Sequence, residues 1–162
     1  MLEGKRIIVT GSARGMGESS LKAYVEAGAN VVGMDVSDEA GESVSNKANN
    51  AGPGKCSYIH VDVSKKSSVE ESFTKAVEIL GGLDVLAHPA AIQRASNASD
   101  VSVEDWDLMF SINVKGTMLT NQIAYKHMKK SGGGSIINFG SISGLRPEPS
   151  ASAYSAAKGA VH

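Results

Sequence analysis

Five short runs rich in Val and Ile, separated by longer stretches whose apolar residues recur every three to four positions, restrict this chain more than any other feature. Parallel strands cannot be joined by a tight turn, so such alternation implies crossover units wound around a parallel sheet. Strands are expected at Arg6–Thr10, Asn30–Asp35, Cys56–Val61, Leu83–His88 and Ser135–Phe139, and helices at about Met16–Ala27, Glu39–Asn49, Ser68–Leu80 and Val103–Lys130. Strand runs that are almost continuously apolar imply helices on both faces. The fold class is α/β, a doubly wound parallel sheet, with three strands in its first half and two in its second. Ser102, with Asp105 three residues on, caps the last helix, whose stripe Trp106, Phe110 and Val114 reads as core packing. Ser131-Gly132-Gly133-Gly134 ends that helix before the fifth strand.

Composition narrows the function. With 162 residues, 41% of them apolar, the chain can bury the core of one domain, read here as residues 1–162. Seventeen acidic against sixteen basic residues leave a net charge of -1, which offers no field for a nucleic-acid backbone. One cysteine makes no internal disulfide, and the four histidines show no spacing for a metal. The N-terminus carries no signal-peptide pattern and no run approaches 18 apolar residues, so a cytoplasmic protein without a membrane span is expected.

The first strand runs into Thr10-Gly11-Ser12-Ala13-Arg14-Gly15-Met16-Gly17 and then directly into a helix. Three glycines at such a junction allow a tight turn, close backbone approach to a phosphate and close helix–strand packing, while the helix start offers free amides. The spacing is G-x-x-x-G-x-G. Met16-Gly17 stands where a phosphotransferase loop needs Gly-Lys-Ser/Thr, which excludes that class. Eighteen residues beyond Gly17, Asp35 ends the second strand, where a carboxylate takes ribose hydroxyls. An acid there favours NAD over NADP, and Arg14 is the nearby basic group that would soften repulsion of a 2'-phosphate. Asp62 and Val63 follow the third strand. Spacing alone leaves Asp62 open between a cap and a group near the adenine.

Tyr154 and Lys158 stand four apart, on one face of a helix, so the ammonium can stabilise a phenolate and make the tyrosine an acid/base. Tyr125 and Lys129 share that spacing, but they sit late in the long fourth helix before a basic run and read as a solvated face. Tyr154 instead follows the carboxyl end of the fifth strand, the side on which open α/β sheets bind ligands. Ser141 and Ser143, in the loop between, both qualify to hydrogen-bond a substrate oxygen.

Gly11, Gly15, Gly17, Asp35, Asp62-Val63, Asn113, Ser141 and Tyr154-x-x-x-Lys158 resemble, in order and spacing, the short-chain dehydrogenase/reductase family, a Rossmann-like fold, across the whole chain. The family's thirteen-residue interval from serine to tyrosine selects Ser141 over Ser143. The resemblance implies catalytic roles for four residues. Tyr154 is the acid/base, Ser141 holds the carbonyl or alcohol, Lys158 tunes Tyr154 and binds the nicotinamide ribose, and Asn113 holds a relay water. It further implies cofactor contacts from Gly11, Ser12, Arg14, Gly15, Met16, Gly17, Asp35, Asp62, Val63, Ala90, Tyr154 and Lys158. A small alcohol or carbonyl substrate and a dimeric or tetrameric assembly are expected with it. The rival class is a non-catalytic dinucleotide-binding module. Two departures stand out. His88-Pro89-Ala90-Ala91 replaces the family's Asn-Asn-Ala-Gly, where Pro89 removes a donor and Ala91 lacks glycine's freedom. Family members also continue beyond the position of His162, so a C-terminally incomplete fold with a poorly supported Tyr154 helix, an open fifth-strand edge and little turnover is expected.

Overall fold

The computed structural model describes residues 1–162. Strands β1 (Arg6–Thr10), β2 (Asn30–Asp35), β3 (Lys55–His60), β4 (Val85–His88) and β5 (Ser135–Asn138) form one sheet in the order β3-β2-β1-β4-β5, every pair parallel. The helices are α1 (Gly15–Glu26), α2 (Asp38–Ala51), α3 (Lys66–Leu80), α4 (Val103–Met109), α5 (Gly116–Lys130) and α6 (Ser152–Val161). Side chains alternate across β1: Ile7 and Val9 pack with Leu21, Val25 and Val44 from α1 and α2, whereas Ile8 packs with Phe73, Ala124 and Met128 from α3 and α5. Apolar continuity along β1 and β2 thus becomes two cores, one on each face. The outer strands β3 and β5 are partly exposed, because each has a neighbour on one side only.

Three expectations are corrected. The stretch read as one helix from Val103 to Lys130 is α4, a π turn over Phe110–Lys115 and then α5. The π turn carries Asn113, whose buried amide is taken up by the backbone of Ile92 from a distant loop. Trp106 is not core: it is 39% exposed and stacks on Phe110 at 4.7 Å. The expected poor support of the Tyr154 helix also fails. Helix α6 buries Ala153 and Ala157, and a parallel bridge from Ser96 to Ala151 fixes its start. Ser96 N–H donates to Ser150 O at 2.8 Å, and Ser152 Oγ donates to Ser96 O at 3.1 Å. The cap at Ser102 is as expected, its hydroxyl accepting from Asp105 N–H at 3.1 Å.

Arg6 joins the start of β1 to the approach to β4. Its backbone N–H and Nε donate to Asp84 Oδ2 at 2.9 and 3.0 Å, and its Nη2 donates to Oδ1 at 2.6 Å. Hydrogen bonding to Arg6 holds the Asp84 carboxyl down at about 2. The unfolded chain protonates this group near ~3.9, so the pair stabilises fully above that pH and its contribution disappears as pH falls through about 2. Asp84→Asn is expected to cost about 1 kcal/mol in urea unfolding at pH 7, with the difference from the parent shrinking toward zero near pH 2.

Candidate active site

The chain leaves β1 at Thr10 and turns through Gly11 (φ 62°) and Gly15 (φ 57°) into α1. A side-chain carbon on Gly17 would lie 1.9 Å from Gly11 O, and one on Gly11 would lie 2.7 Å from Ala90 Cα. One on Gly15 would meet nothing within 4 Å. Gly17 and Gly11 therefore serve packing, while Gly15 serves a backbone conformation costly for other residues. Arg14 gives α1 no side-chain cap, so the amides of its first turn start uncapped at the positive end of the helix. Ser12 lies buried beneath the loop with Oγ against Gly33, and its hydroxyl has no partner.

These elements border a cleft of about 340 Å³ at the carboxyl ends of the strands. Gly11, Arg14, Met16 and Gly17 form one side, Asp35 and the Asp62-Val63 turn another, and Pro89, Ala90 and Ala91 a third, with Ile112 and Tyr154 facing them. Ala91 avoids strain, since no residue other than glycine has positive φ. Asp35 Oδ2 accepts from Ala13 N–H at 3.0 Å and Oδ1 from Ser37 N–H at 3.1 Å, so this carboxylate also ties the glycine loop to β2. The Tyr58 hydroxyl donates to Asp35 O at 2.7 Å and reaches Asp38 Oδ1 at 2.8 Å, where His60 Nδ1 also sits at 2.7 Å. His60 and Tyr58 hold the Asp38 carboxyl below its ordinary value; burial, then Asp38, push the Tyr58 phenol up. Burial pulls Asp62 upward, but the Ser64 hydroxyl and Lys65 outweigh it and keep that carboxyl low.

Tyr154 is part of the cleft wall, and Lys158 follows one helical turn later. Lys158 Nζ lies 5.8 Å from the Tyr154 ring centre and donates to Phe139 O at 2.6 Å. The residue is only 5% exposed, and burial holds its ammonium below the ordinary lysine range. Asn113 lies behind the wall: Nδ2 donates to Ile92 O at 2.8 Å, and Oδ1 accepts from Ile92 N–H at 2.9 Å. Ser141 stands outside the lining, at the start of a 3₁₀ turn (Ile142–Gly144), its Oγ accepting from Ser143 N–H at 3.2 Å. Ser143 is buried whereas Ser141 is partly exposed. Tyr125, on α5, is 60% exposed. A parallel sheet with a glycine turn opening α1 and a Tyr–Lys pair on α6 defines a dinucleotide-fold oxidoreductase.

The short chain dehydrogenase family profile matches residues 5–162, and the chain belongs to that family. An uncharacterized oxidoreductase of Staphylococcus aureus is 35% identical over all 162 residues, which cover 69% of its length. A 3-alpha-(or 20-beta)-hydroxysteroid dehydrogenase of Mycobacterium bovis is 37% identical over 160 residues, 99% of this chain and 60% of that protein. The crystal structure of a short chain dehydrogenase from Mycobacterium smegmatis superposes with a TM-score of 0.95 at 29% identity, over 99% of this chain and 68% of that one. An NAD+-bound xylitol dehydrogenase shares the fold, with a TM-score of 0.95 at 24% identity over 99% of this chain and 62% of its own. The chain thus spans 60 to 69% of the length of these curated relatives.

Sequence reasoning missed Tyr58, Ile92 and the Ser96 bridge, because their part is set by backbone atoms brought from far along the chain. The glycines carry the test of this geometry. Gly17→Ala drives a carbon into Gly11 O and is expected to lower the thermal midpoint by several degrees, whereas Gly15→Ala meets only the about 1 kcal/mol strain of positive φ. Calorimetry of both variants checks this order.

Proposed function

We propose that this protein carries out NAD-linked interconversion of a secondary alcohol and a ketone. The observation that carries the reading is that the glycine loop and Tyr154 open onto one cleft. The residues fit a dinucleotide: the α1 amides and Gly15 suit its phosphates, Asp35 its adenosine ribose, and Asp62, Val63 and Ala90 the walls between. Ser12 supports the loop from beneath, and Arg14 and Met16 edge the cleft. A bound nicotinamide dinucleotide supplies or accepts the hydride. In reduction, the Tyr154 hydroxyl donates a proton to the carbonyl oxygen, which Ser141 steadies with a hydrogen bond. Lys158 stabilises the phenolate and would also hold the nicotinamide ribose of a bound cofactor. The Asn113 amide is committed to Ile92, and its backbone carbonyl at the π turn accepts from the Thr117 hydroxyl at 2.7 Å, which leaves that oxygen's second lone pair for the relay water. Turnover is proposed for the whole protein, in a dimer or tetramer; the exposed apolar side chains Trp106, Met118 and Tyr125 along α4 and α5 support such assembly.

Asp35 favours NAD. A 2'-phosphate about 4 Å from its carboxylate is repelled by roughly 4 kcal/mol at an effective dielectric near 20, less whatever Arg14 and salt remove. Titration with both cofactors is expected to give tighter NAD binding, and equal or tighter NADP binding overturns the assignment. Tyr154→Phe is expected to abolish nearly all turnover on a panel of secondary alcohols with cofactor affinity almost unchanged, and Tyr125→Phe to leave turnover intact. Cofactor binding without turnover on any alcohol or ketone would favour the non-catalytic binding module.

A further inference from the structure

The turn from β2 into α2 borders the adenosine end of the cleft through Asp35, Val36 and Ser37. Local forces do little to hold it. Val36 is 57% exposed, and Ser37, at the N-cap position of α2, makes no side-chain cap. The stay comes from β3 instead. The Tyr58 hydroxyl lies 2.7 Å from Asp35 O, the last carbonyl of β2, and 2.8 Å from Asp38 Oδ1, on the first residue of α2. Burial, then Asp38, keep the phenol protonated. Its single proton lies between two acceptors of the same turn, so the bond ties β3 to that turn whichever oxygen takes it.

His60 adds a second contact from β3. The Asp38 carboxylate only accepts, so His60 Nδ1 donates to it, at 2.7 Å. These two side chains are 54% and 61% exposed, and water screens the pair. Tyr58 is therefore the stronger tie. Room for its ring is made in α2, where a side-chain carbon on Gly41 would lie 2.1 Å from Tyr58 Cε2 and 2.7 Å from its Cζ. Glycine weakens a helix relative to alanine, and here it lets the ring lie against α2 with the hydroxyl at the head of the turn.

We propose that Tyr58 is a positioning residue for nucleotide selection, whose hydroxyl fixes the β2–α2 turn and with it the Asp35 carboxylate at the cleft, so that an unphosphorylated adenosine ribose is taken over a 2'-phosphorylated one. The effect on selection rests on the dinucleotide reading; the tie itself does not. Because the Asp35 carboxylate takes both Ala13 N–H and Ser37 N–H, slack in the turn also loosens its hold on the glycine loop.

The test compares the parent with Tyr58→Phe, which keeps the ring beside Gly41 and loses only the hydroxyl. Adenosine 5'-monophosphate and adenosine 2',5'-bisphosphate are titrated calorimetrically into the cofactor-free protein, and amide hydrogen exchange is followed without any nucleotide. The parent is expected to prefer the monophosphate, and Tyr58→Phe to shrink that preference by about fivefold, the worth of one ordinary hydrogen bond. The amides of Ser37 and Ala13 are expected to exchange about fivefold faster in the variant, while Ile8 and Val9 of β1 keep the parent's rates. A tyrosine that serves overall stability alone predicts faster exchange throughout and equal loss of both nucleotides, and that outcome overturns the proposal. An unchanged preference, or unchanged exchange at Ser37 and Ala13, overturns it as well. Gly41→Ala displaces the ring with its hydroxyl intact and is expected to reproduce both changes; it decides where Tyr58→Phe fails to fold. A parent that binds neither nucleotide overturns the dinucleotide reading and the effect on selection, and exchange at Ser37 and Ala13 then still decides whether Tyr58 holds the turn.

Discussion

The contact between Gly17 and the Gly11 carbonyl governs where α1 can begin. A side-chain carbon at Gly17 would come within 1.9 Å of that oxygen, so only a bare Cα lets the first helical turn sit directly over the end of β1. From this closeness follow the uncapped amides at the cleft, the contact of Gly11 with Ala90 on β4's loop, and the reach of Ala13 N–H to Asp35. The loop is thus held on both flanks, by the β4 loop through sterics and by β2 through a hydrogen bond.

A second constraint is the burial of charge. Lys158 has left water for a single backbone carbonyl, and such desolvation is tolerated only where acceptors are fixed nearby. That carbonyl follows the end of β5, the strand paired with β4, whose own end runs into the Pro89-Ala90-Ala91 wall of the cleft. Asp35 shows the opposite economy: its two backbone donors leave lone pairs facing the cleft while its position stays fixed.

How much of this was legible in the sequence varies with the range of the forces involved. The bounds of β1 and β2 were read to the residue, because central strands are buried on both faces and their composition records it. The edges of β3 and β5 blur, since a strand with one neighbour needs less apolar continuity. The break in the long helix left no local sign. Phe110 to Lys115 contains neither Pro nor Gly, and the π turn accompanies the pairing of Asn113 with Ile92, a tertiary contact. Trp106 misled because helical periodicity reports a stripe without saying what covers it. At the site, the glycines, Asp35, Tyr154 and Lys158 were found from residue type and spacing. Asn113 came from resemblance alone, and His88 registered only as a departure, its partners Thr10 and Thr120 being set by the fold.

The bridge between Ser96 and α6 orders events during folding. The glycine loop is tied to β2 by a bond spanning 22 positions, whereas Ser152 meets Ser96 across 56. By chain-closure entropy the longer connection is costlier by about 1 kcal/mol, and it also requires β4 and β5 to be in register first. The tie of the glycine loop to β2 is therefore the more local of the two, whereas the loop's contact with Ala90, like the Ser96 bridge, waits for β4. During synthesis from the N-terminus, the tie between the glycine loop and β2 can close before β4 has emerged, whereas the cleft wall at Ala90 and the helix behind the Ser96 bridge are added only afterwards.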